Sequence, residues 1–357
     1  MKKGRILGVL LAAAMAFGGV TGAVGTRSVK ADGSSNYKFD KQYLLKAGDS
    51  GTAKSPAETF LFGKNGKAEL YKVQNTKFHT LNDKEISDTS DVMEKGIPQT
   101  ITIGNASFEE GQATIQGTKK EVTITSVDAT KYPSAGYYFY KFQETAGDSA
   151  GVTYNTDPYY IRVAVAYNSD TKALEINNVT MFNNEWKKVS EIDNFYSAGK
   201  LTVQKIVTGN MANSDDTFNV TVRFTPKEGK KLKSKIAGRI IDNNLGNVTI
   251  TDGEDEQTAT FKVKAGTTVV FTNIPEGVSY EVEETQANGY DAPAYKVNTK
   301  EGNTGTIVGG KTDEAIITNN KGIQIDTGVF MNNLPYLLVL IFAAACGVGF
   351  VVSKKRR

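Results

Sequence analysis

The chain has 357 residues, 39% hydrophobic and 23% charged, with 42 Lys and Arg against 39 Asp and Glu, one His and one Cys. That length favours more than one domain. A single histidine, His79, nearly excludes zinc sites and histidine-based triads, and a single cysteine, Cys346, leaves no partner for a disulfide.

At the N-terminus Lys2, Lys3 and Arg5 precede an apolar run from Ile6 to about Val20. This is the layout of a secretory signal peptide, residues 1–31, with cleavage expected after Ala31. Residues 1 to 31 carry +5 and residues 328 to 357 carry +4 of a net +3, which leaves −6 on the body between them. A mildly acidic body argues against nucleic acid as a partner, since phosphate binding needs clustered Lys and Arg. His79, in KFHT, reads as a surface or half-buried strand residue.

The body shows short runs of alternating apolar and polar residues rather than helical periods. Examples are Thr217 to Phe224 (TFNVTVRF), Ala259 to Val263, Thr267 to Phe271 and Val278 to Glu284. Turn signals such as Thr251-Asp252-Gly253 and Asn273 to Gly277 separate them, so the expected fold is all-β, in antiparallel β-sandwiches.

Three segments recur in the same order. YKFDKQY (37–43), GYYFYKFQET (136–145) and EIDN (191–194) return as LTVQKIV (201–207), GVSYEVEET (277–285) and IITN (316–319). The repetition predicts two tandem domains, residues 32–195 and 196–322, with a link of a few residues.

Strand side chains alternate between two faces. In the first repeat Tyr37, Phe39, Lys41 and Tyr43 share one parity, as do Tyr138, Tyr140, Phe142 and Glu144, and Ile192 with Asn194. In the second, Leu201, Val203, Lys205 and Val207 fall together, as do Val278, Tyr280, Val282 and Glu284, and Ile317 with Asn319. A Lys, a Glu and an Asn are thus expected to point inward in each domain. An unpartnered buried amine or carboxylate costs several kcal/mol, so the three are expected to meet.

Two outcomes follow from such a meeting. One is a buried Lys–Glu ion pair with the Asn hydrogen-bonded beside it. The other is chemistry: desolvation lowers the pKa of Lys and raises that of Glu. A neutral Lys amine could then attack the Asn side-chain amide while Glu144 or Glu284 moves the protons, giving an isopeptide bond and ammonia. Neither metal nor cofactor is required.

The aromatic run Tyr137 to Phe142 reads as core. The acidic stretch TDGEDE (251–256) lacks calcium-loop spacing and reads as a hairpin turn. GTIVGGKT (305–312) fits the phosphate-loop pattern letter for letter. Asp313 to Asn319, however, reads as a strand where that loop needs a helix, so the match is set aside.

Near the C-terminus Leu334 to Val352 is 19 residues without a charge, long enough to cross a bilayer, and Lys354, Lys355, Arg356 and Arg357 follow. The basic flank predicts a cytoplasmic tail with the body outside. Asp326-Thr327-Gly328 lies just ahead of this stretch.

GYYFYKFQET with GVTYNTDPYYIRVAV, the junction IDNFYSAGKLTVQKIVTG and the tail IDTGVFMNNLPYLLVL resemble the Gram-positive backbone pilins of the streptococcal type, and the resemblance covers nearly the whole chain. It implies two immunoglobulin-like domains of the collagen-adhesin B type. It also implies internal Lys41–Asn194 and Lys205–Asn319 isopeptide bonds, assisted by Glu144 and Glu284. Asn320 competes with Asn319. By the same resemblance residues 323–357 are a sorting signal, with QIDTG in place of the common LPxTG, cut by a sortase between Thr327 and Gly328. The linking lysine of the family falls on Lys187, with Lys188 as the alternative. The implied partners are sortase, further copies of the chain, cell-wall peptidoglycan, and a minor pilin or host ligand. A monomeric wall-anchored adhesin built from the same domains is the alternative function.

Overall fold

The computed structural model describes residues 37–46, 48, 51–75, 96–241 and 245–322. The leader, His79, the Asp326-Thr327-Gly328 motif, the 334–352 stretch and the basic tail lie outside the described residues. Among the described residues every regular element is a strand, apart from a short 3-10 turn at Ala129–Lys131. No helix among them is long and apolar enough to cross a membrane.

The first unit contains β1 (Tyr37–Leu45), β2 (Glu58–Phe62), β3 (Lys67–Asn75), β4 (Thr100–Ile103), β5 (Ala106–Phe108) and β6 (Thr118–Thr125). It continues with β7 (Gly136–Thr145), β8 (Val152–Thr153), β9 (Pro158–Asn168), β10 (Ala173–Phe182), β11 (Lys188–Val189) and β12 (Glu191–Tyr196). The second unit contains β13 (Ala198–Thr208), β14 (Phe218–Thr225), β15 (Ala237–Ile241), β16 (Thr249–Thr251), β17 (Gln257–Val263) and β18 (Thr268–Pro275). After these come β19 (Ser279–Glu284), β20 (Ala294–Val297), β21 (Lys300–Glu301), β22 (Thr304–Thr306) and β23 (Thr312–Asn320).

Period-two patterning decides which faces are buried. In β19 Tyr280, Val282 and Glu284 are buried, while Ser279, Glu281 and Glu283 take the other face. Covering an apolar side chain of this size is worth about 1.5–3 kcal/mol, which fixes the register against a one-residue slip. β7 departs from strict alternation: its first five residues are all buried. Tyr138 and Tyr140 enter the main core, whereas Tyr137 and Phe139 lie on the outer face in a small cluster with Ala164 and Tyr71. Trp186 helps cover that outer cluster, its ring 5.7 Å from Phe139 and stacked on Tyr160 at 4.4 Å.

The second unit is a stack of two sheets. One has the order β15-β18-β13-β23-β20-β21 and the other β16-β17-β14-β19-β22, over a core that includes Phe218, Phe224, Phe271 and Tyr280. The first unit differs from the two separate sheets expected of a sandwich. Its strands form one continuous sheet, β11-β10-β9-β7-β3-β4-β6-β1-β12-β8, and β2 pairs with β5 and β7. The β3–β4 and β4–β6 pairings carry hydrogen bonds around the corner that a sandwich leaves open, so the two faces of the core belong to one ladder.

In both units the first and last strands are parallel neighbours. Lys41 pairs with Ile192 and Tyr43 with Asn194; Lys205 pairs with Ile317 and Val207 with Asn319. Parallel strands require a long crossover, here the rest of each unit. The offset between Lys and Asn is the same in both.

Only Ser197 separates β12 from β13, and the units share an interface. Asn273 of β18, buried and held at φ +59°, is central to it. Its Oδ1 accepts from the Lys54 N–H at 2.8 Å and the Tyr196 hydroxyl at 3.1 Å, and its Nδ2 donates to the Lys235 carbonyl at 2.9 Å. Left-handed backbone suits Asn better than most residues. Asn273→Ala should lower stability by about 1–3 kcal/mol in urea unfolding of residues 32–322, because buried donors lose their acceptor. Amide exchange at Lys54 should accelerate in the same variant; unchanged protection there would refute the bridging role.

Candidate functional site

Lys41, on β1 between the core residues Phe39 and Tyr43, is fully buried. Its Nζ donates to Glu144 Oε2 at 2.7 Å and lies 4.6 Å from the Phe60 ring centroid. Glu144 is at the end of β7, and its Oε1 accepts from Asn194 Nδ2. Asn194 Oδ1 in turn accepts the backbone N–H of Asn155 at 2.8 Å. An N–H can donate only to the oxygen of an amide, so this contact fixes which way the Asn194 side chain faces.

The second unit repeats the arrangement. Lys205 Nζ donates to Glu284 Oε2 at 2.7 Å and also reaches Asn319 Oδ1, while Asn319 Nδ2 donates to Glu284 Oε1 at 2.7 Å. The Phe218 ring centroid is 3.9 Å from Lys205 Nζ. Glu284 comes from the facing sheet, and its backbone N–H donates to the Tyr295 hydroxyl at 2.9 Å. Asn319 is fully buried. Its neighbour Asn320 turns outward and donates to Asp291 Oδ2 at 2.7 Å.

The structure therefore brings Lys41, Glu144 and Asn194 together, and Lys205, Glu284 and Asn319 together, each around a dry carboxyl group. Chemically this is an amine beside an amide, with a carboxyl able to hydrogen-bond both. No cluster of three His, Cys, Asp or Glu side chains that could hold a metal occurs among the described residues. Sequence reasoning missed three contributors. Phe60 and Phe218 cap the two amines and could have been suspected from strand parity. Asn155 acts through its backbone, which leaves no trace in residue type.

The remaining candidates lie elsewhere. Lys187 is exposed in the hairpin between β10 and β11, its Nζ 2.5 Å from Glu185. The loop is shaped by Asn183, whose Oδ1 accepts from the Glu185 and Lys187 N–H groups at 3.1 and 2.9 Å. Lys188 begins β11 and pairs with Phe182. Thr327 and Gly328 lie outside the described residues. GTIVGGKT runs from β22 into β23, so no helix follows its glycines and no phosphate cradle forms. TDGEDE turns between β16 and β17, where Asp255 pairs with Lys231.

Residues 199–321 match a family model described as a domain of unknown function (DUF7601). The chain is 25% identical over 237 residues to a pilin of Streptococcus pyogenes serotype M1, covering 62% of this chain and 69% of that one. Over 131 residues, 36% of this chain, it is 31% identical to the pilus tip adhesin Cpa of Streptococcus pyogenes, of whose length it spans 18%. The crystal structure of the major pilin from Streptococcus pyogenes superposes with a TM-score of 0.52 at 19% identity, covering 82% of this chain and 100% of that one.

Burial dominates the electrostatics of both centres. It pushes the Lys41 amine down to about 8, against the opposing pull of Glu144, and lowers Lys205 in the same way. Burial raises the Glu144 carboxyl, opposed by Lys41 and by the Asn194 hydrogen bond. Desolvation thus moves the Lys41–Glu144 pair toward neutral amine and neutral acid. Because Lys41 titrates lower folded than unfolded, the unfolded chain holds the extra proton above about pH 8, and stability there rises with pH. In Asn194→Ala, which keeps the amine unreacted, urea unfolding should show stability increasing from about pH 8 to about 9.5. Adding Lys41→Met should flatten that rise; a flat profile in Asn194→Ala alone would refute the lowered amine.

Proposed function

We propose that this chain, a homologue of the Streptococcus pyogenes major pilin, is a structural subunit of a covalently polymerised cell-surface pilus whose two domains are stapled by self-formed Lys–Asn isopeptide bonds. The observation that carries the reading is the double occurrence of one geometry. Lys, Glu and Asn meet in a dry core at the same offset on a parallel pair of first and last strands, twice in one chain.

In each centre the neutral Lys Nζ attacks Asn Cγ, and the amide oxygen takes up the displaced electron pair. The Glu carboxyl carries a proton from Nζ to Nδ2. The Cγ–Nδ2 bond breaks, ammonia leaves, and a Lys–Asn amide remains with Glu unchanged. Each centre reacts once, so the chain is a structural protein and not an enzyme acting on external substrate. The domains, residues 32–195 and 196–322, are read as immunoglobulin-like modules of the collagen-adhesin B type.

Assembly follows from the ends of the sequence. The leader exports the chain and the 334–352 segment holds it in the membrane. A sortase cleaves between Thr327 and Gly328, retains Thr327 as a thioester, and passes it to Lys187 of another copy or to peptidoglycan. The similarity to a tip adhesin favours one alternative: a wall-anchored adhesin that is not polymerised.

The intact mass of residues 32–322 should fall short of the sequence mass by two ammonias. Glu144→Ala and Glu284→Ala should each restore one, and the unmodified mass in the wild-type chain would overturn both bonds. In wall extracts boiled in detergent the wild-type chain should form a high-mass ladder that Lys187→Arg collapses and Lys188→Arg leaves intact. A single wild-type band would instead select the adhesin.

A further inference from the structure

The two centres share three side chains but differ in what holds the amide oxygen. Asn319 Oδ1 is met by Lys205 itself, whereas Asn194 Oδ1 is met by the backbone N–H of Asn155. When an amine attacks the Asn194 amide, negative charge develops on Oδ1. A fixed backbone donor aimed at that atom inside a water-poor site is the arrangement that stabilises such charge.

Asn155 belongs to a ledge that begins where β7 ends and includes β8. Thr153 and Val152 pair with Phe195 and Tyr196, directly after Asn194, which sets the Asn155 N–H against the Asn194 side chain. The other end of the ledge rests on the second unit. Lys231 N–H donates to the Asp148 carbonyl at 2.7 Å, and Ala150 N–H donates to the Lys231 carbonyl at 2.8 Å. Ala150 itself is buried within the second unit's core. Ser149, fully buried between these contacts, bonds Glu58, so the ledge has little freedom between its two ends.

We infer that the Asn155 backbone N–H is the donor that polarises the Asn194 amide, and that docking of residues 148–150 on the second unit holds it in place. Bond formation in the first unit is thereby coupled to assembly of the second. The inference rests on the proposed isopeptide chemistry and adds a positioning element to it. The second centre has no such dependence, since its amide oxygen is engaged by Lys205 itself and not by a segment docked on the other unit. The order of events follows: Lys205–Asn319 closes first, and Lys41–Asn194 closes after the units have docked.

The test compares the two bonds in the same molecules, using residues 32–322 sampled over time after a pulse of synthesis and scored by peptide mass for each ammonia loss. Asn155→Pro removes the donor, and Lys231→Pro removes an inter-unit hydrogen bond from the far side of the interface. The Lys205–Asn319 bond serves as the internal marker of a folded chain. In both variants the Lys41–Asn194 bond should form at least about tenfold more slowly relative to the Lys205–Asn319 bond than in wild type, as expected for loss of a charge-stabilising donor. A wild-type ratio in Asn155→Pro would overturn the donor role, and a wild-type ratio in Lys231→Pro would overturn the coupling. Absence of both bonds from the wild-type chain would instead overturn the isopeptide reading beneath them.

Discussion

The organising constraint is the parallel pairing of the first and last strands of each unit. Once β1 lies beside β12, and β13 beside β23, a Lys and an Asn two positions apart in register project from adjacent strands into one core. Neither side chain can remain there alone, because a buried amine without a partner costs several kcal/mol. The carboxyl of Glu144 or Glu284 supplies that partner and, through its second oxygen, orients the amide. The same contacts that make burial tolerable also align an amine with an amide, so here structural necessity and chemistry coincide.

Under the proposed function the placement would also determine how the chain bears load. In the proposed polymer, with Lys187 as acceptor and Thr327 as donor, force would enter at the β10–β11 hairpin, follow β12 through Ser197 into β13, cross from Lys205 to Asn319, and leave toward the C-terminus. Only the second of the two proposed bonds would lie on this path. The first proposed bond would tie β12 to β1, so that the strand receiving the force could not be stripped from its sheet. The body of each unit would then hang beside the loaded segment instead of lying within it, its hydrogen bonds spared the shear that adjacent parallel strands would otherwise carry. In a chain whose only cysteine is Cys346, the proposed bonds would take the place of the disulfide as a covalent staple.

Much of this was legible in the sequence because it depends on a period of two. The alternation in β19 put Glu284 on the same face as Tyr280 and Val282, and the matching parity in β13 and β23 put Lys205 and Asn319 inward. What escaped was whatever depends on backbone or on distant pairing. The Asn155 donor has no residue signature. The corner pairings of β4 that join the first unit into one sheet involve a strand of only four residues, Thr100–Ile103. Ala150 reads as an unremarkable loop residue, yet it completes the core of the other unit. The run Tyr137 to Phe142 reads as core, but only the side chains of one parity enter the main cluster, and the others need Tyr71 and Trp186 to cover them.

The shared strand register explains why the centres agree, and the loops explain why they differ. Strand register is shared, so the Lys-to-Asn offset is identical in both units. The surroundings are not: Phe60 stands 4.6 Å from one amine and Phe218 3.9 Å from the other, and the two amide oxygens have different donors. A fold can therefore keep a reactive arrangement through register alone while connecting segments adjust how it reacts. The ledge from Gly147 to Asn155 goes further, because it belongs to one unit's chain, packs into the other unit's core and ends at a reactive amide. With only Ser197 between the two sheets, that ledge and the two bonds Asn273 accepts from Lys54 and Tyr196 make the junction a packed interface rather than a hinge. A rigid junction is what the proposed load path through one strand crossing would require, since a hinge there would lengthen before the proposed Lys205–Asn319 bond came under tension.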